Sequence, residues 1–272
     1  MSDWEHEAGA HWADNADRYT RVLRHYGALL VDALAPAPGE RVLDIGCGNG
    51  DLSLATGRAV GHGGAVLGVD LSPDMLAVAR GRAEAEGLHH VEFVQADAAS
   101  WRTPTAPFAA ATSRFGVMFF DEPAAAFANL RGSMVPGARL VFVCWQSLLD
   151  NEWMLLPAAA ASEVLAPPPP GDPTAPGPFA FADGDRVAAL LTEAGFGGID
   201  LEAVSAPVWV GHDADDAAGF LRDSGVGRTW FADAPPALVD EALARAADAV
   251  RPHEGPDGIE LGGAAWLVRA TA

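Results

Sequence analysis

The apolar positions of the chain change period along its length. Over residues 21–34, Val22, Tyr26, Leu29, Leu30 and Ala33 recur at three- and four-residue intervals, which predicts an amphipathic helix. Pro36-Ala37-Pro38-Gly39 breaks it. Short apolar runs then follow at 41–45, 65–70, 91–95, 109–115 and 138–145, and predict five buried strands. The stretches between them are long enough for helices. One is signalled in detail: Ser72 suits the N-cap, Pro73 the first helical position and Asp74 the positive end of the dipole. Met75, Ala79 and Ala83 share a face, and Gly87 ends it. Strand and helix in strict alternation imply right-handed crossovers and a parallel sheet.

After Trp145 the rhythm fails. Residues 166–178 hold seven prolines in 13 positions and read as an extended loop, either a pocket wall or a surface detour. A helix resumes near Asp185, with Val187, Leu190, Leu191 and Ala194 on one face, and stops at Gly195-Phe196-Gly197-Gly198. Residues 199–210 alternate like a strand, helices are expected near 213–223 and 236–251, and a strand at 263–270 closes the chain. The two late strands are expected to pair antiparallel at the sheet edge, with the helices between them inserted as a cap. The fold class that results is α/β: a doubly wound, mostly parallel, seven-stranded Rossmann-like sheet with a helical cap. The chain divides into an N-terminal helical lid (1–35), a ligand-binding core (36–146), a Pro-rich cap insertion (147–184) and a C-terminal part of the core (185–272) with a helical cap insertion around 211–260.

Half of the 272 residues are apolar, enough to bury a sizeable core. The formal net charge is −20, and all 17 basic residues are arginines. Such a chain repels phosphate backbones and anionic membrane surfaces, so neither nucleic acid nor membrane is expected as a partner. The N-terminus lacks the basic and apolar regions of a signal peptide, no apolar stretch is long enough to span a bilayer, and the location expected is cytoplasmic. Two cysteines, Cys47 and Cys144, make no disulfide framework, and no His/Cys/Asp/Glu set has metal-ligand spacing, so no metal is expected. A monomer and a homodimer are both open.

The chemistry concentrates where the first strand runs into Gly46-Cys47-Gly48-Asn49-Gly50. A strand-to-helix turn presents unpaired backbone N–H groups, and glycines let a ligand approach them. A dinucleotide fingerprint needs its third glycine at the position of Asp51, where a carboxylate would oppose a pyrophosphate. Asp44 precedes the turn. A ligand without phosphates, bearing cationic centres, fits better. Asp70 ends the second strand, where a carboxylate can accept both hydroxyls of a ribose; Asp97 ends the third, suited to an adenine amino group. The three strand ends read as a nucleoside site without a phosphate cradle. Asp44 either orients the turn through backbone hydrogen bonds, the favoured role, or touches the ligand. Cys47 is read as a small turn residue with no call for a reactive thiol.

Val42-Leu43-Asp44-Ile45-Gly46-Cys47-Gly48-Asn49-Gly50 resembles the first signature motif of the class I S-adenosylmethionine (SAM)-dependent methyltransferases. Gly68-Val69-Asp70-Leu71-Ser72-Pro73-Asp74-Met75-Leu76 resembles their second, Gln95-Ala96-Asp97-Ala98 their third, and Pro136-Gly137-Ala138-Arg139-Leu140 the turn before their fifth strand, with Ala138 in place of a second glycine. The order and spacing of four motifs over residues 40–146 make the resemblance specific. Within the class the chain is similar to the quinone-biosynthesis C-methyltransferases and the small-molecule "type 11" branch. The resemblance implies SAM as cofactor, S-adenosylhomocysteine as product and a small-molecule acceptor. It places Gly46 and Gly48 by the methionine moiety, Asp70 on the ribose, Leu71 and Met75 near the adenine, and Asp97 with Ala98 at its edge, with Asp44 and Cys47 of the turn counted among the cofactor-binding residues. It puts Ser113, Arg114 and Phe115 at the methionine and sulfonium side. Asp14, Arg18 and Tyr19 resemble the branch's N-terminal segment that closes over the cofactor. Arg114 could instead pair an anionic substrate group or form a structural ion pair.

His11, His6 and His212 are the candidate general bases, although a surface or packing histidine is the commoner case. The aromatic residues Phe115, Trp145, Trp153, Phe220 and Trp230 are candidates for the substrate pocket, and point to an apolar or aromatic acceptor methylated at carbon, oxygen or nitrogen by in-line displacement. Two rival readings share the motifs: a non-methylating enzyme that uses SAM on the same scaffold, and a SAM-binding regulatory module.

Overall fold

The computed structural model describes residues 3–103 and 107–272; Met1 and Ser2 of the expected lid, and residues 104–106 of the expected core, lie outside the described residues. The chain opens with three helices, α1 (Glu7–Asp14), α2 (Ala16–Val22) and α3 (Arg24–Leu34). It then alternates: β1 (Arg41–Ile45), α4 (Asp51–Val60), β2 (Ala65–Asp70), α5 (Pro73–Ala85), β3 (Val91–Gln95), β4 (Phe108–Arg114), α6 (Pro123–Arg131) and β5 (Met134–Trp145). The later elements are α7 (Glu152–Ser162), α8 (Gly184–Glu193), β6 (Gly197–Gly211), α9 (Ala214–Asp223), α10 (Gly225–Phe231), α11 (Pro236–Val250), β7 (Glu254–Gly255) and β8 (Gly258–Thr271).

The sheet runs β3-β2-β1-β4-β5-β8-β6, with the two-residue β7 paired to β8 off this path. The pairs β3–β2, β2–β1, β1–β4 and β4–β5 are parallel, and β8 is antiparallel to β5. This is the mostly parallel, doubly wound α/β fold expected from the sequence. Strand order reverses between β1 and β4, so the carboxyl ends of those two strands form the switch point where open α/β sheets take their ligands. β1 is buried at four of its five residues, as a strand covered on both faces must be.

Several elements depart from the expected boundaries. The helix expected over 21–34 is broken at Leu23, whose backbone (φ −103°, ψ 8°) separates α2 from α3. The closing strand begins at Gly258 rather than 263, and β5 at Met134 rather than 138. Two helices were not expected at all. α7 carries Pro157 in its interior and α10 is short and opens on glycine; both compositions argue against a helix, and buried contacts override that local preference.

Two compact units account for the chain. The first comprises residues 1–145, 174–204 and 265–272; the second comprises 146–173 and 205–264. In the first unit, Arg139 ties the helical N-terminus to the sheet: Nη1 and Nη2 donate to the two Glu40 carboxylate oxygens at 3.1 and 2.7 Å, and Nε to the Leu34 carbonyl at 3.2 Å. In the second unit, the fully buried Asn151 carboxamide donates to the Ala264 carbonyl at 3.1 Å and accepts the Ala264 N–H at 2.9 Å. No helix among the described residues is long and apolar enough to cross a membrane.

Candidate functional site

The turn after β1 is fixed from beneath. The N–H groups of Gly46 and Cys47 both donate to the Val69 carbonyl near the end of β2, at 2.8 and 3.1 Å. Gly48 has φ +52°, a left-handed conformation that favours glycine, and it packs against the Met75 methyl. Its N–H donates to Asp70 Oδ2 at 2.7 Å, while Ser72 N–H donates to Asp70 Oδ1 at 2.9 Å. Asp70 therefore bridges the turn after β1 and the start of α5, and each oxygen keeps a further lone pair for a ligand hydroxyl. Burial raises the Asp70 pKa against the pull of these backbone N–H groups. Ser72 caps α5 as expected, its hydroxyl accepting Met75 N–H at 3.2 Å.

Asp44 is almost wholly buried. It accepts the Ser53 hydroxyl at 2.5 Å, so the contact that orients it is a side chain of α4 rather than the backbone of the turn. Burial pushes its pKa up to about 7, with Ser53 and the positive charge of Arg114 opposing and the Asp70 and Asp51 charges reinforcing the rise. Cys47 is buried, and its thiol is raised by burial first and by the Asp70 and Asp44 charges second, which keeps it protonated and unreactive.

The turn after β4 meets the turn after β1. Ser113 donates its hydroxyl proton to the Ile45 carbonyl at 2.7 Å and accepts Gly116 N–H at 3.2 Å, so it ties the two strand ends together. Phe115 holds φ +62°, a strained conformation for a bulky residue and one found most often at functional sites. Its ring stacks on Trp145 at 4.0 Å, and Tyr26 meets both rings edge-on at 5.1 and 5.0 Å. Arg114 Nη1 donates to Asp51 Oδ2 at 2.6 Å, so the ion-pair alternative for Arg114 is realised, with a residue of α4.

A cleft opens here. The glycine turn, Asp44, Met75 and Arg114 supply one side; Trp12, Tyr19 and Leu23 supply the other. Tyr19 stacks on Trp12 at 3.5 Å, and its hydroxyl lies 3.2 Å from His11 Nε2. Asn49 holds this helical segment over the turn, donating to the Ala16 carbonyl at 2.9 Å and the Thr20 hydroxyl at 3.0 Å. Arg82 adds an ion pair to Asp17 at 2.5 Å. Toward β3, Leu71 is half-buried and Ala98 buried. Asp97 is exposed and accepts Ala99 N–H at 2.9 Å.

Sequence reasoning missed Trp12, Leu23 and Leu52 in the cleft lining and the parts played by Asn49 and Ser53. Trp12 lies seven residues before Tyr19, a helical spacing that was a usable signal; Ser53 gave none. His6 is exposed at the start of α1 and His11 half-buried, both in the first unit. His212 belongs to the second unit, exposed, with its ring edge-on to Trp209 at 4.8 Å. There Trp153 and Phe220, 6.3 Å apart, line a small apolar cavity with Met154, Val210, Leu221 and Val250. Trp230 stacks on Phe231 at 5.0 Å and donates Nε1–H to the Ala166 carbonyl at 3.0 Å.

Fold and site together define a doubly wound α/β protein whose switch point is lined by a glycine turn, a carboxylate and one guanidinium. A methyltransferase-domain family model matches residues 42–137. The chain is 31% identical over 218 residues to nocamycin O-methyltransferase of Saccharothrix syringae, covering 79% of this chain and 70% of that one. It is 42% identical over 109 residues to demethylmenaquinone methyltransferase of Thermus thermophilus (40% and 48% covered). It is 34% identical over 116 residues to aklanonic acid methyltransferase DauC of a Streptomyces species (43% and 53% covered). In these last two the matched stretch spans about half of the relative's length. Among solved structures, YcgJ of Bacillus subtilis superposes with a TM-score of 0.60 at 18% identity, covering 91% of this chain and 98% of that one. The [4+2]-cyclase SpnF does so with a TM-score of 0.53 at 23% identity (98% and 85% covered). At such identities these two likenesses show the fold alone. The chain belongs to the class I SAM-dependent methyltransferase family, and is similar to its quinone methyltransferases.

Proposed function

We propose that the protein transfers a methyl group from SAM to a small apolar or aromatic metabolite, at carbon, oxygen or nitrogen. The observation that carries this reading is Asp70. A half-buried carboxylate joined to the N–H of Gly48 suits a ribose diol beside an uncharged backbone, and the neighbouring Asp44 and Asp51 suit cationic rather than phosphorylated ligands. The donor set fits SAM: Asp70 for the ribose, Leu71, Met75, Asp97 and Ala98 for the adenine, and Asp44, Gly46, Cys47, Gly48, Ser113, Arg114 and Tyr19 around the methionine end.

When bound, SAM supplies a methyl carbon on a sulfonium with a good neutral leaving group. The chain's own task is then alignment and exclusion of water. The glycine turn and Asp70 fix the nucleoside, while Trp12 and Tyr19 cover it. Within the first unit Phe115 and Trp145 are assigned to the acceptor side. His11, next to the Tyr19 hydroxyl, is assigned as proton acceptor for acceptors that must lose a proton. The names of relatives that methylate aklanonic acid, demethylmenaquinone and nocamycin support a small-molecule acceptor, and demethylmenaquinone one of quinone type.

Calorimetric titration with SAM and S-adenosylhomocysteine, in parallel with Asp70→Ala, tests the cofactor reading. Wild type should bind and the variant should lose at least about tenfold in affinity, as expected when a charged hydrogen-bond acceptor is removed. Release of S-adenosylhomocysteine in step with acceptor turnover separates methyl transfer from a non-methylating use of the same scaffold.

A further inference from the structure

We propose that Asn49-Gly50 is a site of spontaneous deamidation, gated by helix α2, and that the modified residue can no longer hold that helix in place. Only its protection by SAM rests on the cofactor reading above.

The reaction needs an asparagine followed by a residue that does not crowd the attacking nitrogen, and glycine, with no Cβ, crowds it least. The Gly50 nitrogen gives up its proton to solvent and attacks Asn49 Cγ. The ring C–N bond forms, the Cγ–Nδ2 bond breaks, and ammonia leaves after taking a proton back. Water then opens the succinimide from one side or the other, to aspartate or isoaspartate. Asn49-Gly50 is the one Asn-Gly pair in the chain; Asn15, Asn129 and Asn151 precede Ala16, Leu130 and Glu152.

The fold both primes this pair and blocks it. Asn49 Oδ1 accepts the Asp51 N–H at 3.3 Å, an Asx turn that folds the carboxamide back over the Gly50 peptide. Against this, both residues are buried, and Asn49 Nδ2 is spent on the Ala16 carbonyl at 2.9 Å and the Thr20 hydroxyl at 3.0 Å of α2. The Gly50 N–H is itself donated to the Cys47 carbonyl at 3.0 Å. The cover is easily lifted. α2 has seven residues and no side-chain hydrogen bond at its N-cap. Its outer anchor is the ion pair of Asp17 with Arg82, and the Asp17 side chain is fully exposed, where such pairs hold weakly. Elements of this kind open locally far more often than the whole chain unfolds.

The product does not suit the place. A carboxylate at position 49 has no N–H for the Ala16 carbonyl and sets two acceptors face to face. Isoaspartate adds a methylene to the backbone of a turn in which Gly48 and Gly50 hold φ +52° and +79°. Each opening of α2 thus exposes the turn to a change that prevents reclosure, and a ligand that fills the cleft suppresses it.

The test follows Asn49 by peptide mass mapping in mildly alkaline buffer, in the full chain with and without saturating SAM, in Arg82→Gln, and in a synthetic peptide of residues 44–55. Arg82 donates to Asp17 and Thr20 of α2 and touches neither reacting atom. Folded wild type should convert at least about tenfold more slowly than the peptide, and still more slowly with SAM. Arg82→Gln should convert about fivefold faster than wild type, the factor that one hydrogen bond supplies. If that variant does not fold, Asp17→Asn, altered at an exposed position, should convert about twofold faster. Asn49→Asp, which is the aspartate product, should be cut between residues 6 and 23 faster than wild type. Equal rates in peptide and folded chain overturn the proposal, as do equal rates in wild type and the folded variant, no conversion in the variant while the peptide converts fully, or wild-type protease resistance in Asn49→Asp. A gate that holds while saturating SAM leaves the rate unchanged counts against the cofactor reading alone.

Discussion

Gly46 and Gly116 lie back to back: a Cβ on Gly46 would stand 3.0 Å from the Cα of Gly116, and one on Gly116 would stand 3.1 Å from the Cα of Gly46. The turns after β1 and β4, 70 residues apart in sequence, thus touch through two backbones with no side chain between them. Gly116 has φ −82°, which any residue adopts, so an alanine there tests the close approach alone. A Cβ would also press on the Ile45 carbonyl at 2.9 Å and the Ser113 hydroxyl at 3.0 Å. Gly116→Ala should lower stability by about 1–3 kcal/mol in urea unfolding, as overpacking does. It should weaken SAM binding at least about tenfold, because the displaced wall is that of the cofactor turn.

Asp70 accepts backbone N–H groups on both oxygens. Asp70→Asn would turn an amide N–H₂ toward one of those donors and leave it unmet. The expected cost is about 1–3 kcal/mol of stability, with the SAM affinity falling in parallel, read by thermal unfolding and calorimetry.

Asp44 gives a pH dependence with a definite sign. Its pKa in the fold is about 7 against 3.8 for an unperturbed carboxyl, so the folded state holds the proton more tightly than the unfolded chain. Its stability contribution is fully present below about pH 4 and is lost as the pH rises toward 7. Asp44→Asn keeps an acceptor for Ser53 without the charge. Relative to wild type it should gain stability progressively between pH 4 and 7 and remain level above. A variant difference that is flat over this window would count against the assignment. A cationic ligand favours the ionised carboxylate, so SAM affinity of wild type should rise over the upper part of the same window, and that rise should vanish in Asp44→Asn.

Glu40 behaves in the opposite sense. The Arg139 hydrogen bonds hold its carboxyl below the usual 4.5, against the desolvation of burial and with help from the Ala37 N–H at 2.8 Å. Its contribution is present above pH 4.5 and disappears as the pH falls through the lowered value. Glu40→Gln should cost about 0.5–1 kcal/mol near neutrality, a modest figure because the pair is partly exposed, and nothing at the acid end. Chemical denaturation at two pH values checks it.

Asn49 is buried and holds α2 by two hydrogen bonds. Asn49→Leu should release the N-terminal helices more often than the sheet, and limited proteolysis should cut between residues 6 and 23 faster than in wild type. Added SAM should protect the wild type there more strongly than the variant.

The part of the fold that was legible in the sequence is the part whose causes are local. The motif around Gly46, the cap at Ser72 and the short β-runs each carry their own turn chemistry, and β1, β2 and β3 fall where the pattern put them. The elements that went unread are those decided by distant contacts. α7 reads as apolar on every side and contains Pro157; α10 has Gly227 packed so tightly on the Leu221 carbonyl that no side chain would fit. The site divides the same way. Asp44, Asp70 and the glycines were visible as motif residues, whereas the partnership of Asp51 with Arg114 spans 63 residues and could be left only as one alternative. Ser53, which satisfies Asp44, is an ordinary helix residue until β1 and α4 are placed side by side.

The second unit is made of two stretches of chain, each entered from and returned to the first, so four peptide bonds join the pair, after residues 145, 173, 204 and 264. Two of these crossings, at 204 and 264, fall inside β6 and β8 rather than in loops. No single cut in the gene therefore excises either part, and a recombination that imports this unit from a relative must splice two strands in mid-register. A one-residue slip at either splice would invert which side chains face inward. Exchange of this unit is accordingly constrained by the register of two strands of the sheet, whereas a point substitution inside it leaves that register untouched.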